Sequence, residues 1–139
     1  MTQLSPSEQQ ELLGEITTAL VTDLPDTWVR LIMDYANIGR RVSVAAAVRL
    51  ADGETVQISP PKELARAFMM LRRGMHTPEH GAWYSLELII DPPDMFKVHY
   101  NWDDEPRFPS PTPAEQFAVD LERFPRAEVP DWFARQLPG

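Results

Sequence analysis

The five residues His76-Thr77-Pro78-Glu79-His80 are the part of the sequence that most resembles a metal site. They match the H-x-x-E-H pattern, in which two histidines one helical turn apart hold a catalytic zinc ion. That chemistry requires both imidazoles on one face of a helix and a third ligand from elsewhere. Pro78 removes a helical hydrogen bond and disfavours helical backbone at Thr77. The sequence therefore predicts a loop here, with no metal ligand.

Other catalytic patterns are missing from the sequence. The chain has three histidines and no cysteine, so it has no disulfide, no thiolate zinc site and no cysteine nucleophile. It contains no glycine-rich phosphate loop, and no Ser-His-acid spacing stands out. His99 alternates with Lys97 and Asn101, which indicates the outer face of a strand. We therefore expect a protein without catalytic residues or cofactor.

Basic residues are concentrated in the middle of the chain, and the acidic residues flank them. The arginines of this middle segment are Arg40, Arg41, Arg49, Arg66, Arg72 and Arg73. Arg66 and Arg73 lie seven residues apart on one predicted helix face, which would suit a patch for a small anion or RNA. Ion pairing with the acidic helices is the alternative that the sequence favours. The net charge of −8 disfavours a general nucleic-acid-binding protein.

The segment from Tyr100 to Pro106 combines large aromatic residues with three consecutive acids. Aromatic anchors rimmed by charge are typical of protein interfaces, where carboxylates steer a cationic partner. Alternatively, Tyr100 and Trp102 could complete the core while the three acids solvate a loop, and both interpretations stay open. The candidate partner-binding residues are Tyr100, Trp102, Asp103, Asp104, Glu105, Asp91, Asp94 and Asp131.

Four helices are predicted from capping patterns and apolar periodicity. The first starts at the capping box Ser5-Pro6-Ser7-Glu8, and Thr112-Pro113-Ala114-Glu115 repeats that pattern before the third. The second has an apolar stripe of Leu64, Phe68, Leu71 and Met75. A last short helix follows Val129-Pro130-Asp131, and its Trp132, Phe133 and Leu137 should cover one edge of a sheet.

Five strands are predicted from apolar residues that recur at every second position. In the first strand, Val29, Leu31, Met33 and Tyr35 share the buried face; in the second, Val42, Val44, Ala46, Val48 and Leu50 do so. Asp52-Gly53 predicts a two-residue type I′ turn into the third strand. A second hairpin between Gly81 and Trp102 turns at Asp91-Pro92-Pro93-Asp94.

The predicted order α-β-β-β-α-β-β-α-α indicates an α+β fold with an antiparallel sheet of about five strands and helices packed against it. A chain of 139 residues suits one domain, so we assign residues 1–139 to it. No apolar stretch is long enough to cross a bilayer, and the first residues lack the features of a signal peptide. We expect a cytoplasmic protein that contacts neither membrane nor nucleic acid.

Several aromatic and turn positions resemble the YezG-like family of bacterial immunity proteins, the antitoxins encoded beside secreted polymorphic toxins. The resemblance spans most of the chain. It is carried by Leu24-Pro25-Asp26 with Trp28, by Trp83, by the run from Met95 to Asp103, by residues 120–126, and by Pro130-Asp131-Trp132. Where such families place a glycine before the Phe-Lys strand, this chain has Pro92-Pro93-Asp94.

The resemblance implies an immunity protein that binds and neutralises a cognate toxin, often a nuclease, in the cytoplasm of the cell that makes it. The partner would be a basic toxin domain, and the family supplies no catalytic residues. Two alternatives are a secretion chaperone or adaptor, and a small-molecule-binding or metal-dependent α+β enzyme that uses the concave face of the sheet together with His76 and His80.

Overall fold

A computed structural model describes residues 3–137 of the chain, which form four helices and five strands. The helices are α1 (Pro6–Val21), α2 (Leu64–Gly74), α3 (Ala114–Arg123) and α4 (Asp131–Ala134). The strands are β1 (Trp28–Ile38), β2 (Arg41–Leu50), β3 (Thr55–Ile58), β4 (Ser85–Asp91) and β5 (Met95–Asn101). The predicted α+β class and the order of the elements are confirmed.

The five strands form one antiparallel sheet in the order β3-β2-β1-β4-β5. Helices α1 and α2 cover one face of this sheet, and their apolar stripes form the main core with inward side chains of β1, β2 and β4. Helices α3 and α4 pack in a second cluster around Ile38 and Tyr84. No helix formed by residues 3–137 covers most of the opposite face of the sheet.

Local patterns predict α1 and α2 correctly but misplace the start of α3. The Ser5 capping box closes on Glu8 as expected, with both of its hydrogen bonds formed. Leu64, Phe68 and Leu71 are buried on one stripe of α2. The second capping box is wrong, because α3 starts one residue later, with Pro113 at its cap and no side-chain hydrogen bond.

The burial pattern of β1 and β2 departs from the sequence prediction in two places. Val29 is 41% exposed, because the register with β2 shifts between Trp28 and Arg30 and it is Trp28 that packs against the core. The alternation in β2 is as predicted, but Val42 and Val44 are 45% and 41% exposed. Helices α1 and α2 do not cover that end of β2.

The β2–β3 turn differs from the predicted type I′ geometry. Gly53 has a positive φ of 91°, but no residue other than glycine has a positive φ within residues 3–137. The Leu50 carbonyl accepts from Gly53 N–H at 3.0 Å, and Leu50 N–H donates to the Glu54 carbonyl at 2.8 Å. This is a three-residue loop in which glycine alone takes the left-handed conformation, since Asp52 keeps a negative φ.

A buried ion pair joins α2 to α3. The Arg72 guanidinium binds both carboxylate oxygens of Asp120, at 2.7 and 3.1 Å, and both side chains are almost completely buried. Arg72 also donates to the Asn37 side chain and to the Trp83 carbonyl, each at 2.7 Å. The Phe124 ring lies 4.8 Å from its guanidinium carbon. A buried charge is tolerated only when it is paired and hydrogen-bonded in this way.

The same network fixes the turn between β1 and β2. The backbone N–H of Gly39 donates to Asp120 at 2.9 Å, and Asn37 donates to the carbonyls of Gly39 and Arg41. Gly39 has a φ of 60°, and a Cβ at this position would lie 2.5 Å from the carbonyl oxygen of Gln116. Only glycine fits here, so the turn can approach α3 closely enough to share Asp120.

We expect Asp120→Ala to lower the free energy of unfolding by about 3–5 kcal/mol, because Arg72 would remain buried without its counter-charge. Asp91→Ala is the control, since it breaks the exposed pair with Arg30, and exposed pairs contribute little. Urea denaturation of both variants measures the difference. Equal stability of the two variants would contradict the structural role of the buried pair.

Candidate functional site

Five of the six acidic residues predicted to bind a partner lie at opposite ends of the β4–β5 hairpin, and the sixth, Asp131, lies in α4. Asp91 and Asp94 are at its turn, whereas the segment 102–105 follows the end of β5. The seven residues of β5 separate the two groups by about 23 Å, given a rise of about 3.3 Å per residue. These residues therefore do not form one continuous patch.

The two aromatic residues of the predicted interface face the core. The Tyr100 ring lies 5.6 Å from the Trp83 ring, and its hydroxyl is buried without a hydrogen-bond partner among the described residues. Burial raises the pKa of Tyr100 to about 12. Trp102 packs against the same core. The structure thus favours the interpretation in which these aromatic side chains complete the core.

Asp103 and Asp104 are held by hydrogen bonds within the chain. The buried side chain of Arg126 contacts the Asp103 carboxylate at 3.2 Å, although the Asp103 side chain is 70% exposed. The Trp132 indole donates to the Asp103 carbonyl at 2.7 Å. The backbone of Asp104 exchanges two hydrogen bonds with the side chain of Asn101. This loop is therefore anchored, and Arg126 offsets one of its charges.

The remaining predicted acids differ in their surroundings. Arg30 donates to both oxygens of Asp91 at 2.8 and 3.0 Å, and this hydrogen bonding lowers the pKa of Asp91. Asp94 is exposed and lines a shallow cavity with Glu11 and Glu15 of α1. Asp131 is exposed in the first turn of α4, where the helix dipole favours a carboxylate.

The structure reveals an acidic pair that the sequence analysis missed. Asp34 of β1 and Glu87 of β4 lie directly opposite each other on the face of the sheet away from α1 and α2, and His99 of β5 is opposite Glu87. No cation contacts either carboxylate within 4.0 Å in the described part of the chain. Burial, and secondly the charge of Glu87, raises the pKa of Asp34.

The acidic pair lies in a groove of about 560 Å³. The groove is lined by small side chains of three strands, namely Ala36, Ser43, Ala45 and Ser85. The loop residues Glu105, Pro106 and Arg107 form its rim, and Pro106 is buried. We call this surface the acidic groove. With Asp34, Glu87 and Glu105 against Arg107, its net charge is negative.

Of the acids predicted from the sequence, only Glu105 lies in the acidic groove. In the sequence, Asp34 and Glu87 do not differ from the polar residues that alternate on any half-exposed strand. Their pairing depends on the register between β1 and β4, which are separated by β2, β3 and α2 in the sequence. The opposed polar positions on the outer faces of the two strands were the only signal that the sequence offered.

The histidine motif forms a loop, as predicted. Thr77 pairs with Gly81 in an isolated bridge, and His76 Nε2 lies 3.0 Å from the Pro125 carbonyl. Among residues 3–137, no three histidine, cysteine or acidic side chains are grouped so that they could hold a metal ion. Within the same range, no helix has the length and apolar character needed to cross a membrane.

Comparison with known proteins gives no match to a family model and none to a curated protein sequence. The resemblance to the YezG-like family therefore stays a prediction.

We expect Asp34→Asn to stabilise the free protein at pH 7. A carboxylate whose pKa is raised by folding costs stability when it is ionised, so removing its charge is favourable. The gain is below about 1 kcal/mol, because water screens a partly exposed pair. It should disappear as the pH falls through the raised pKa of Asp34, since the wild-type carboxyl is then neutral.

Thermal unfolding at pH 7 and at acidic pH measures this effect. Asp26→Asn, at an exposed position outside the groove, is the control for the loss of one charge. A loss of stability at pH 7 in Asp34→Asn alone would contradict the assignment of Asp34 and Glu87 as mutually repelling charges.

Proposed function

We propose that this protein is an immunity protein that binds a basic toxin domain encoded beside it and neutralises that domain by stoichiometric binding in the cytoplasm, without catalysis. The observation that carries the proposal is the pair of opposed carboxylates, Asp34 and Glu87, on a part of the sheet face that no helix of residues 3–137 covers. The family resemblance of the sequence and the net charge of −8 support it.

The acidic pair costs stability in the free protein, since like charges directly opposite on a sheet repel. A lysine or arginine side chain inserted between the carboxylates from a partner would remove that repulsion. An arginine suits this position because its planar guanidinium donates several hydrogen bonds to carboxylates at fixed angles. Relief of this repulsion on binding would contribute to the affinity for the partner.

The shape of the acidic groove supports insertion of such a side chain. Small residues such as Ala45 and Ser85 leave the backbone of the sheet open to a long side chain from outside. Pro106 is buried, which holds the rim residue Glu105 in place beside the groove. A partner would therefore meet a preformed surface, which limits the ordering cost of binding.

The charge of the protein suits a partner that acts on nucleic acid. Proteins that act on nucleic acid bind its phosphate groups through clustered lysine and arginine side chains. Carboxylates of the acidic groove would occupy the positions that phosphates take in the partner's cleft. The long-range attraction between the acidic protein and a basic domain would also accelerate their association.

Expression in bacteria of the neighbouring reading frame, alone and with this protein, tests the proposal. We expect the neighbour to stop growth and this protein to restore it. We further expect Asp34→Asn/Glu87→Gln to bind the purified neighbour at least about tenfold more weakly, equivalent to about 1.4 kcal/mol, without loss of stability.

The matched control is Asp26→Asn/Glu54→Gln, which removes two exposed charges outside the acidic groove and should bind like the wild type. A neighbour that leaves growth unaffected would refute the immunity function. Equal affinity of the two double variants would refute the role of the acidic groove.

A further inference from the structure

A second cavity, of about 510 Å³, lies on the opposite side of the sheet from the acidic groove. It is bounded by the β1–β2 turn, by α2 and by the C-terminal end of α3, and Val42 and Met69 form part of its wall. Val42 points to the same face of β2 as the core residues Ala46 and Val48. The volume falls within the range of small-molecule sites in proteins.

Three exposed arginines line this cavity: Arg40 from the turn, Arg73 from α2 and Arg123 from α3. None of them has a carboxylate within 4.0 Å among residues 3–137. A fourth arginine, Arg72, also borders the cavity, but Asp120 neutralises it. The cavity therefore concentrates positive charge on a protein whose net charge is −8.

The negative ends of the α2 and α3 dipoles offset only part of this positive charge. Arg73 and Arg123 lie in the last turns of α2 and α3, where a cation complements the negative end of the helix dipole. Each helix end is equivalent to about −0.5 charge, so two of them offset roughly one of the three arginines. About two positive charges are left, which matches the charge of roughly −1.5 to −2 on a phosphate monoester near neutral pH.

The walls of the cavity indicate that the ligand is more than an inorganic ion. Val42 and Met69 are 45% and 44% exposed, and Phe124 is also part of the lining. Apolar walls beside a few convergent polar groups are typical of sites for organic ligands. An apolar or aromatic group on the ligand would cover these side chains while its phosphate contacts the arginines.

We propose that this cavity binds a small organic phosphate, a phosphate monoester that carries an aromatic group. The arginines bind the phosphate oxygens through paired N–H donors. Val42, Met69 and Phe124 contact the aromatic group. This site is independent of the proposed immunity function, because it lies on the helix-covered side of the sheet and shares no lining residue with the acidic groove.

Calorimetric titration of the purified protein in phosphate-free buffer tests the site. The probes are adenosine 5′-monophosphate and phenyl phosphate, compared with adenosine, phenol and inorganic phosphate. We expect at least one ester to bind about tenfold or more tightly than inorganic phosphate and than its own neutral parent. Failure of both esters to bind more tightly than inorganic phosphate would overturn the proposal.

Arginine variants locate the binding. Arg73→Gln and Arg123→Gln should each weaken binding of the ester about tenfold or more, because each removes a charge-assisted contact with the phosphate. Arg49→Gln is the control, since it removes an exposed arginine of β2 outside the cavity. Unchanged thermal unfolding shows that each variant is folded. A loss of affinity no larger than that of the control would also overturn the proposal.

Discussion

The buried pair of Arg72 and Asp120 is the interaction on which the rest of the structure depends. A guanidinium inside a protein must have its donors satisfied, and Arg72 makes four hydrogen bonds to achieve this. Those bonds join Arg72 of α2 to α3, to Trp83 just before β4, and to Asn37 near the end of β1. Together with the apolar packing of Phe117, these bonds hold α3 against the sheet. Arg123 at the end of α3 thereby lines the same cavity as Arg40 and Arg73.

The arrangement of helices has a second consequence, because it leaves most of one sheet face open. Antiparallel sheets can expose one face to water, and polar residues normally occupy it. Here that face holds two opposed carboxylates, Asp34 and Glu87, together with a floor of small side chains. Like charges directly opposite each other on a sheet repel, and a cation from another molecule that contacts this pair would remove the repulsion. The fold thus separates a negative surface on one side of the sheet from a positive cavity on the other.

The sequence predicts features that depend on local pattern. The apolar stripe of α2 and the inward residues of the β4–β5 hairpin follow from periodicity alone. The exposure of Val29 does not, because it results from a register shift that periodicity cannot show. The charge pattern of the sequence favours ion pairs between the central arginines and acidic helices, and Arg72 forms one with Asp120 of α3. Neither this partner nor the pairing of Asp34 with Glu87 can be predicted from local pattern, since helix docking and strand register bring these residues together.

Thiol footprinting in the complex with the neighbouring gene product tests the central claim most directly, namely that a basic partner covers the acidic groove. The chain has no cysteine, so a single introduced thiol can be labelled without background. Ala45→Cys places a thiol in the groove, and Gln10→Cys places one on the exposed surface of α1. We predict that the partner slows maleimide labelling at position 45 and leaves position 10 unaffected. Protection at position 10 with free labelling at position 45 would contradict the account.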